Sequence, residues 1–306
     1  MTTNSATATP VASGDTAPKV GVGLRHPHYD QALTDAADID FVEVHTENFY
    51  VDGGANLEVL ERARELYSIS LHGTALGLGS AAGIPQHAID RLARLVERID
   101  PLLVSDHLCF CWVNLDGRRL HAGDLLPVRR TREALSVLEA NIDRVQLAIG
   151  RPLLLENISA YIDDPEQAYS ETEFLCQLVK RTGCRLLVDI NNLLVNAHNL
   201  AIPSPGEYAM AWLDQLPAAA VAEIHLAGYS EPSPGALAVD DHAAPVSKLA
   251  WQVYEYALGR LGPVATLVEW DTRLPPWPDL VEEAARARRI GSAAFEALPA
   301  KQGAVQ

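Results

Sequence analysis

RPLLLENISAYIDDPEQAYSETEFLCQLVKRTGCRLLVDINN, residues 151–192, holds one full repeat of the pattern that sets the fold. It opens on one apolar run, PLLLE (152–156), and closes on another, RLLVDI (185–190). Runs this continuous read as parallel strands buried on both faces. Between them Ser170 and Glu173 form a capping box ahead of Phe174, Leu175, Leu178 and Val179. Gly183 then stands just past the helix, where a left-handed conformation favours glycine. The unit is strand, helix, strand, and each strand ends on acids and amides: Glu156 with Asn157, then Asp189 with Asn191 and Asn192.

Outward from this unit the pattern repeats. KVGVGL (19–24), DFVEV (40–44), YSISL (67–71), LLVSD (102–106), VAEIHL (221–226) and ATLVEW (265–270) are six more strand candidates. Segments of helical period separate them; Leu135, Leu138, Ile142, Val145 and Ile149 recur at spacings of three and four until Gly150 and Pro152 stop the pattern. Eight strands in alternation with helices predict a single (β/α)8 TIM barrel. The barrel is expected over residues 18–300, behind a disordered tail at 1–17 of Thr, Ala, Ser, Pro and Gly. A doubly wound dinucleotide fold is excluded, because GVGLRHPHY follows the first strand where G-x-G-x-x-G would have to stand.

The 306 residues are 48% hydrophobic and 21% charged, enough apolar material for one large core. A formal charge of −16 argues against nucleic acid as a partner, because affinity for phosphate comes mainly from Lys and Arg. No run approaches the length of a membrane helix, and the N-terminus has no apolar stretch of a secretory signal. Four cysteines in a chain this long build no disulfide framework, so a reducing, cytoplasmic location is expected. The Cys109-Phe-Cys111 pair is a weak zinc signal and otherwise reads as core thiols.

In such a barrel the C-terminal strand ends share one mouth. Strand by strand they offer Glu43, His45, Glu47 and Asn48; His72; Asp106 and His107; Glu156 and Asn157; Asp189, Asn191 and Asn192; Glu223 and His225; and Glu269 with Asp271. Asp240, Asp241 and His242 follow on the loop after the seventh strand. Any one of these reads as a cap or a turn residue. Together they are an accumulation of buried carboxylate and imidazole that is costly unless cations neutralise it. Metal binding by more than one ion follows, with Fe, Mn and Zn all compatible with the ligand types.

GVGLRHPHYD, FVEVHTENFY, SLHGTALGLG, SDHLCF, LLENISAY, LLVDINNLLVNAHN, EIHLAGY and DDHAAPV resemble successive blocks of one bacterial family. This is the multinuclear non-haem iron-dependent oxidative enzymes, also known as domain of unknown function 692. The resemblance covers residues 18–290 and implies a barrel related to the endonuclease IV and xylose isomerase group, holding two or three iron ions in a mixed-valent Fe(II)/Fe(III) state. His72 and His107 would hold one ion, with Glu156 bridging to a second held by Asp189, His225 and Glu269. Asn192, Asp240 and His242 would form a third site, with His198 and Asp241 as alternatives; related barrels commonly carry a His where Asn192 stands. Family members use O2 as co-substrate to modify residues, often cysteine, of ribosomal precursor peptides, and commonly rely on a leader-binding partner protein in trans.

Arg25, His28, Glu47, Asn48 and Asn157 are candidates for positioning the substrate, or for orienting ligands. The Pro/Gly-rich loop 230–239 is a candidate lid. A redox-neutral metal enzyme, a sugar isomerase or a phosphodiesterase, is the competing reading, because those barrels use similar ligands.

Overall fold

A computed structural model describes residues 17–161 and 164–296. Most of the expected tail and residues 297–300 of the expected domain lie outside that range. All eight anticipated runs are strands of one closed parallel barrel. They are β1 (Val20–Gly23), β2 (Phe41–His45), β3 (Ser68–Gly73), β4 (Leu103–His107), β7 (Leu154–Glu156), β8 (Arg185–Asp189), β9 (Val221–Leu226) and β10 (Ala265–Val268), with β10 closing onto β1. The chain is therefore a (β/α)8 barrel.

The outer layer packs as the periodicity requires. On α4 (Arg132–Ile149), Leu135, Leu138, Ile142 and Val145 are wholly buried, and Thr131 caps the first turn through Ala134 N. Each such side chain contributes about 2 kcal/mol on leaving water. The capping box of α5 (Glu171–Thr182) forms between Ser170 and Glu173, and Gly183 ends that helix at φ 69°.

Register decides which polar groups meet. Pairing sets His45 beside His72, His107 beside Glu156, and Asp189 beside His225. Because alternate side chains of a strand share a face, Glu43 and His45 of β2 project together, as do Glu223 and His225 of β9.

Residues 109–127 form an antiparallel hairpin, β5 (Cys109–Leu115) with β6 (Arg118–Pro127). Its turn is Asp116-Gly117, both at positive φ. Asp-Gly between two such segments is the sequence signal for this turn.

Two glycines test how tightly the barrel closes. A Cβ on Gly21 would stand 2.5 Å from the Phe41 carbonyl oxygen of the neighbouring strand, whereas one on Gly259, in α8 (Lys248–Leu261), meets nothing. Gly21→Ala should cost about 3 kcal/mol and Gly259→Ala should gain about 1 kcal/mol, read from urea midpoints.

Candidate metal centre

The mouth end of β3, β4 and β7 brings two imidazoles onto one carboxylate. His107 Nδ1 lies 3.1 Å from the Gly73 carbonyl oxygen, which can only accept, so Nδ1 carries the proton and donates. His72 Nδ1 stands 2.8 Å from the Ser105 hydroxyl. Both Nε2 atoms then turn to Glu156 Oε2, at 3.2 Å and 3.3 Å. Burial pushes His107 down to about 4 and His72 well below the usual imidazole range, so both rings are neutral and present lone pairs. Burial likewise pushes Glu156 well above the usual carboxylate range. A single proton on Glu156 can serve only one of the two lone pairs. A cation serves all three atoms at once, and they lie within 4.8 Å of one another.

Glu156 also belongs to a second group, with Asp189 and His225. Asp189 caps α6 (Ile190–Asn199) by accepting from Asn192 N through Oδ1, which leaves Oδ2 without a partner. His225 is wholly buried between carboxylates: Nδ1 is 2.9 Å from Glu269 Oε2, and Nε2 is 3.3 Å from Glu43 Oε2 and 3.8 Å from Glu223 Oε1. Burial alone would lower this ring, but Glu43 and Glu269 hold it well above its ordinary value. Conversely, burial would raise Glu269, but His242 and His225 hold it well below. Burial pushes Glu43 and Asp189 each up to about 7.

A third group joins Asp189, His242 and Glu269. Gly228 and Ala244 bridge so closely that a Cβ on Gly228 would collide with the Pro245 and Ala244 carbonyls, and this folds the 240–242 loop over the mouth. His242 sits at φ 41°, a strained backbone for a non-glycine residue. Its Nε2 is 2.7 Å from Asp240 Oδ1.

Glu43, Glu156, Asp189, Glu223 and Glu269 are thus all at most 3% exposed. Arg25 reaches this cluster from β1, with Nη2 3.2 Å from Glu269 and 2.8 Å from Asp271. One guanidinium does not neutralise five carboxylates. Glu43 Oε1, Glu156 Oε2, Asp189 Oδ2, both Glu223 oxygens and Asn192 Oδ1 are buried without hydrogen-bond partners. Unpartnered acceptors converging in this way fit divalent cations.

The residues picked from the sequence separate in space. His72, His107, Glu156, Asp189, His225, Glu269 and His242 fall into the three overlapping groups. Asp240 reaches the centre through His242 and is held by Asn191 Nδ2, while Asn192 donates to the Asn157 carbonyl. Asn157 itself clamps the Asp189 backbone, accepting from N and donating to O. Of the other positioning candidates, His28 donates to the Pro275 carbonyl and packs on Trp277. Glu47 accepts from Thr74 N, Thr74 Oγ1 and Ala75 N, and Asn48 is exposed. His198 lies at Ala236 O and Asp241 at Ser230, away from the ligand groups. The 230–239 loop is pinned by that Asp241 contact and by a two-way bond between Asn199 and Ala238.

Glu43, His45 and Asp271 join ligand groups that the sequence reading did not assign them to. Strand alternation held the signal for two of them, since Glu43 and His45 are spaced i, i+2 on β2.

The raised carboxylates fix a sign. A folded-state pKa above the unfolded one means the folded chain binds more protons, so stability falls as pH rises through that interval. In chelator-treated protein, stability should fall between about pH 4.5 and 7, while His107, depressed to about 4, opposes this only below pH 6.5. Glu43→Gln should remove about 3 kcal/mol of that loss, measured by urea unfolding across pH.

Comparison with known proteins agrees with this architecture. A UPF0276 protein of Chromobacterium violaceum is 44% identical over 276 residues, 90% of this chain and 96% of that protein. One from Caulobacter vibrioides is 45% identical over 271 residues, 88% of this chain and 93% of that protein. Among solved structures, endonuclease IV from Thermus thermophilus superposes with a TM-score of 0.55 at 15% identity, covering 91% of this chain and 99% of that one. D-psicose 3-epimerase from Clostridium cellulolyticum gives 0.54 at 11% identity, covering 91% and 97%. At those identities the likeness is one of fold. The sequence model for RiPP precursor modification enzymes, RiPP denoting ribosomally synthesised and post-translationally modified peptides, matches residues 19–292, and with it the chain takes its place in the MbnB/TglH/ChrH family.

Proposed function

We propose that this chain is a multinuclear iron, O2-using oxidase that modifies residues, cysteine foremost, of a ribosomal precursor peptide. We further propose that a leader-binding partner protein presents the peptide in trans, in the reducing cytoplasm. The observation that carries the metal part is Glu156, one buried carboxylate facing His72 and His107 on one side and Asp189 and His225 on the other. That is the arrangement a bridging ligand between two cations requires. Membership of a precursor-modifying family supports the peptide part.

His72, His107 and Glu156 would hold one ion, Glu156, Asp189, His225 and Glu269 the next, and His242 with Asp240, Asn192 and the shared Asp189 and Glu269 a third. Bound iron supplies one-electron chemistry with O2 and a soft position for a thiolate, which zinc does not combine. The protein's own groups hold and orient. Gly73 and Ser105 fix the His107 and His72 rings, Asn157 clamps Asp189, and Arg25 braces Glu269. Glu43, pushed up to about 7 and 3.3 Å from His225 Nε2, is placed to hold or release a proton near neutral pH. Among the described residues no helix is long and apolar enough to cross a membrane.

Metal analysis and Mössbauer spectroscopy after anaerobic purification, followed by O2 exposure with the precursor peptide, test the reading. Two or more irons and a mass change on the peptide are expected. Tightly bound zinc without iron, after iron-replete expression, would instead favour a redox-neutral hydrolase or isomerase. Glu156→Ala should lose at least two ions together, whereas His72→Ala should leave the ion at Asp189, His225 and Glu269 largely in place.

A further inference from the structure

Strand β5 begins two residues after His107 and carries Cys109 and Cys111, whose Sγ atoms are 3.6 Å apart. Residues i and i+2 of a regular strand share a face but stand about 7 Å apart along it. Here the pairing with β6 slips between Phe110 and Trp112, where the single residue Cys111 faces four of β6, residues 122–125. An irregularity of this kind breaks the ladder and increases the local twist of the pair. Both cysteines are buried, at 0% and 1% exposure, in a small cluster of their own with Ile158, Trp112 and Leu125. The backbone on either side is anchored: Gly79 N donates to Cys109 O, and the amides of Cys111 and Trp112 both donate to Ser80 Oγ. Neither sulfur belongs to any ligand group found among the described residues.

We propose that Cys109 and Cys111 form a second redox site, a two-electron dithiol/disulfide couple that a small peroxide closes. One sulfur attacks a peroxide oxygen, the O–O bond breaks, and a sulfenic acid and water result. The second sulfur attacks the sulfenic sulfur, the S–O bond breaks, and a second water leaves. The balance is 2 RSH + H2O2 → RSSR + 2 H2O, with both sulfurs oxidised and both peroxide oxygens reduced. Burial excludes a protein or glutathione disulfide as the oxidant, because exchange needs an attacking thiol to reach the sulfur in line. A bridge spanning one intervening residue is strained and therefore oxidising, and burial leaves its reduction to small thiols such as dithiothreitol. Peroxide is a product that O2-using chemistry next to His107 can release, but the couple itself does not depend on the iron reading.

Trypsin cuts this chain so that residues 99–118 carry both cysteines, while Cys176 and Cys184 fall in other peptides. The experiment treats the folded full-length protein with equimolar H2O2, quenches with catalase, alkylates under denaturing conditions, and maps the digest by mass spectrometry. The expected 99–118 peptide is unalkylated, about 2 Da lighter than the dithiol, and reverts with dithiothreitol. Cys111→Ser should instead collect one or two oxygens on Cys109. A 99–118 peptide that still takes two alkyl groups overturns the proposal, as does one that gains oxygen without ever losing two hydrogens. The wild-type map decides this alone if the variant does not fold.

Discussion

The structure depends on the mutual repulsion of groups packed into one end of a dry barrel. Five carboxylates at most 3% exposed share this space with four imidazoles and one guanidinium. Taking each ion out of water costs several kcal/mol, and acceptor facing acceptor returns nothing. The pKa values express that conflict. Glu43 and Asp189 are driven up toward protonation, His72 and His107 are driven down toward neutrality, and His225 and His242 gather charge from the carboxylates around them. The candidate ligand groups overlap at Glu156, Asp189, His225 and Glu269, so shared cations would relieve all of these at once.

Much of the nearby structure holds this arrangement against its own strain. β1 is glycine on its mouth-facing side, and a Cβ on Gly23 would press on the Arg25 guanidinium at 3.0 Å, so the small residue lets Arg25 fold back to Glu269. Gly73 similarly gives way to Asp106, whose carboxylate would lie 2.2 Å from a Cβ there; Asp106 accepts from its neighbour His107 N and stays outside the ligand groups. The positive φ of His242 is stored strain that its contacts with Asp240, Asp271 and Glu269 offset. Asn157, Glu47 and His28, which the sequence offered as substrate-positioning or ligand-orienting groups, bond to backbone, Asn157 to that of Asp189. Arg25 lies against Glu269 itself.

The β5–β6 hairpin is the departure from a bare barrel. It rises next to His107 with Val113, Leu115 and Leu120 exposed, and it carries the buried sulfur pair at its root. Asp116-Gly117 carries a local signal for its turn, but nothing local brings two sulfurs together. That approach accompanies the four β6 residues, 122–125, that stand opposite Cys111, and it is set by how the two strands pair.

The barrel itself, its eight strands and its capped helices were written in period and punctuation: apolar runs of parallel strands, Ser170 with Glu173, Gly183 after the helix. So was the existence of a polar mouth, because ionisable residues stood at the same end of each run. What the chain order could not hold was who faces whom. His107 and Glu156 are 49 positions apart in number, yet they are neighbours by strand register, and so are Asp189 and His225. Only closure of the sheet set Glu43 against His225, and only the loop fold set His242 against Asp189 rather than His198 or Asp241 in that place. The physical reason is that a side chain's type is local, whereas its electrostatic environment is a sum over every strand that the barrel brings round to meet it.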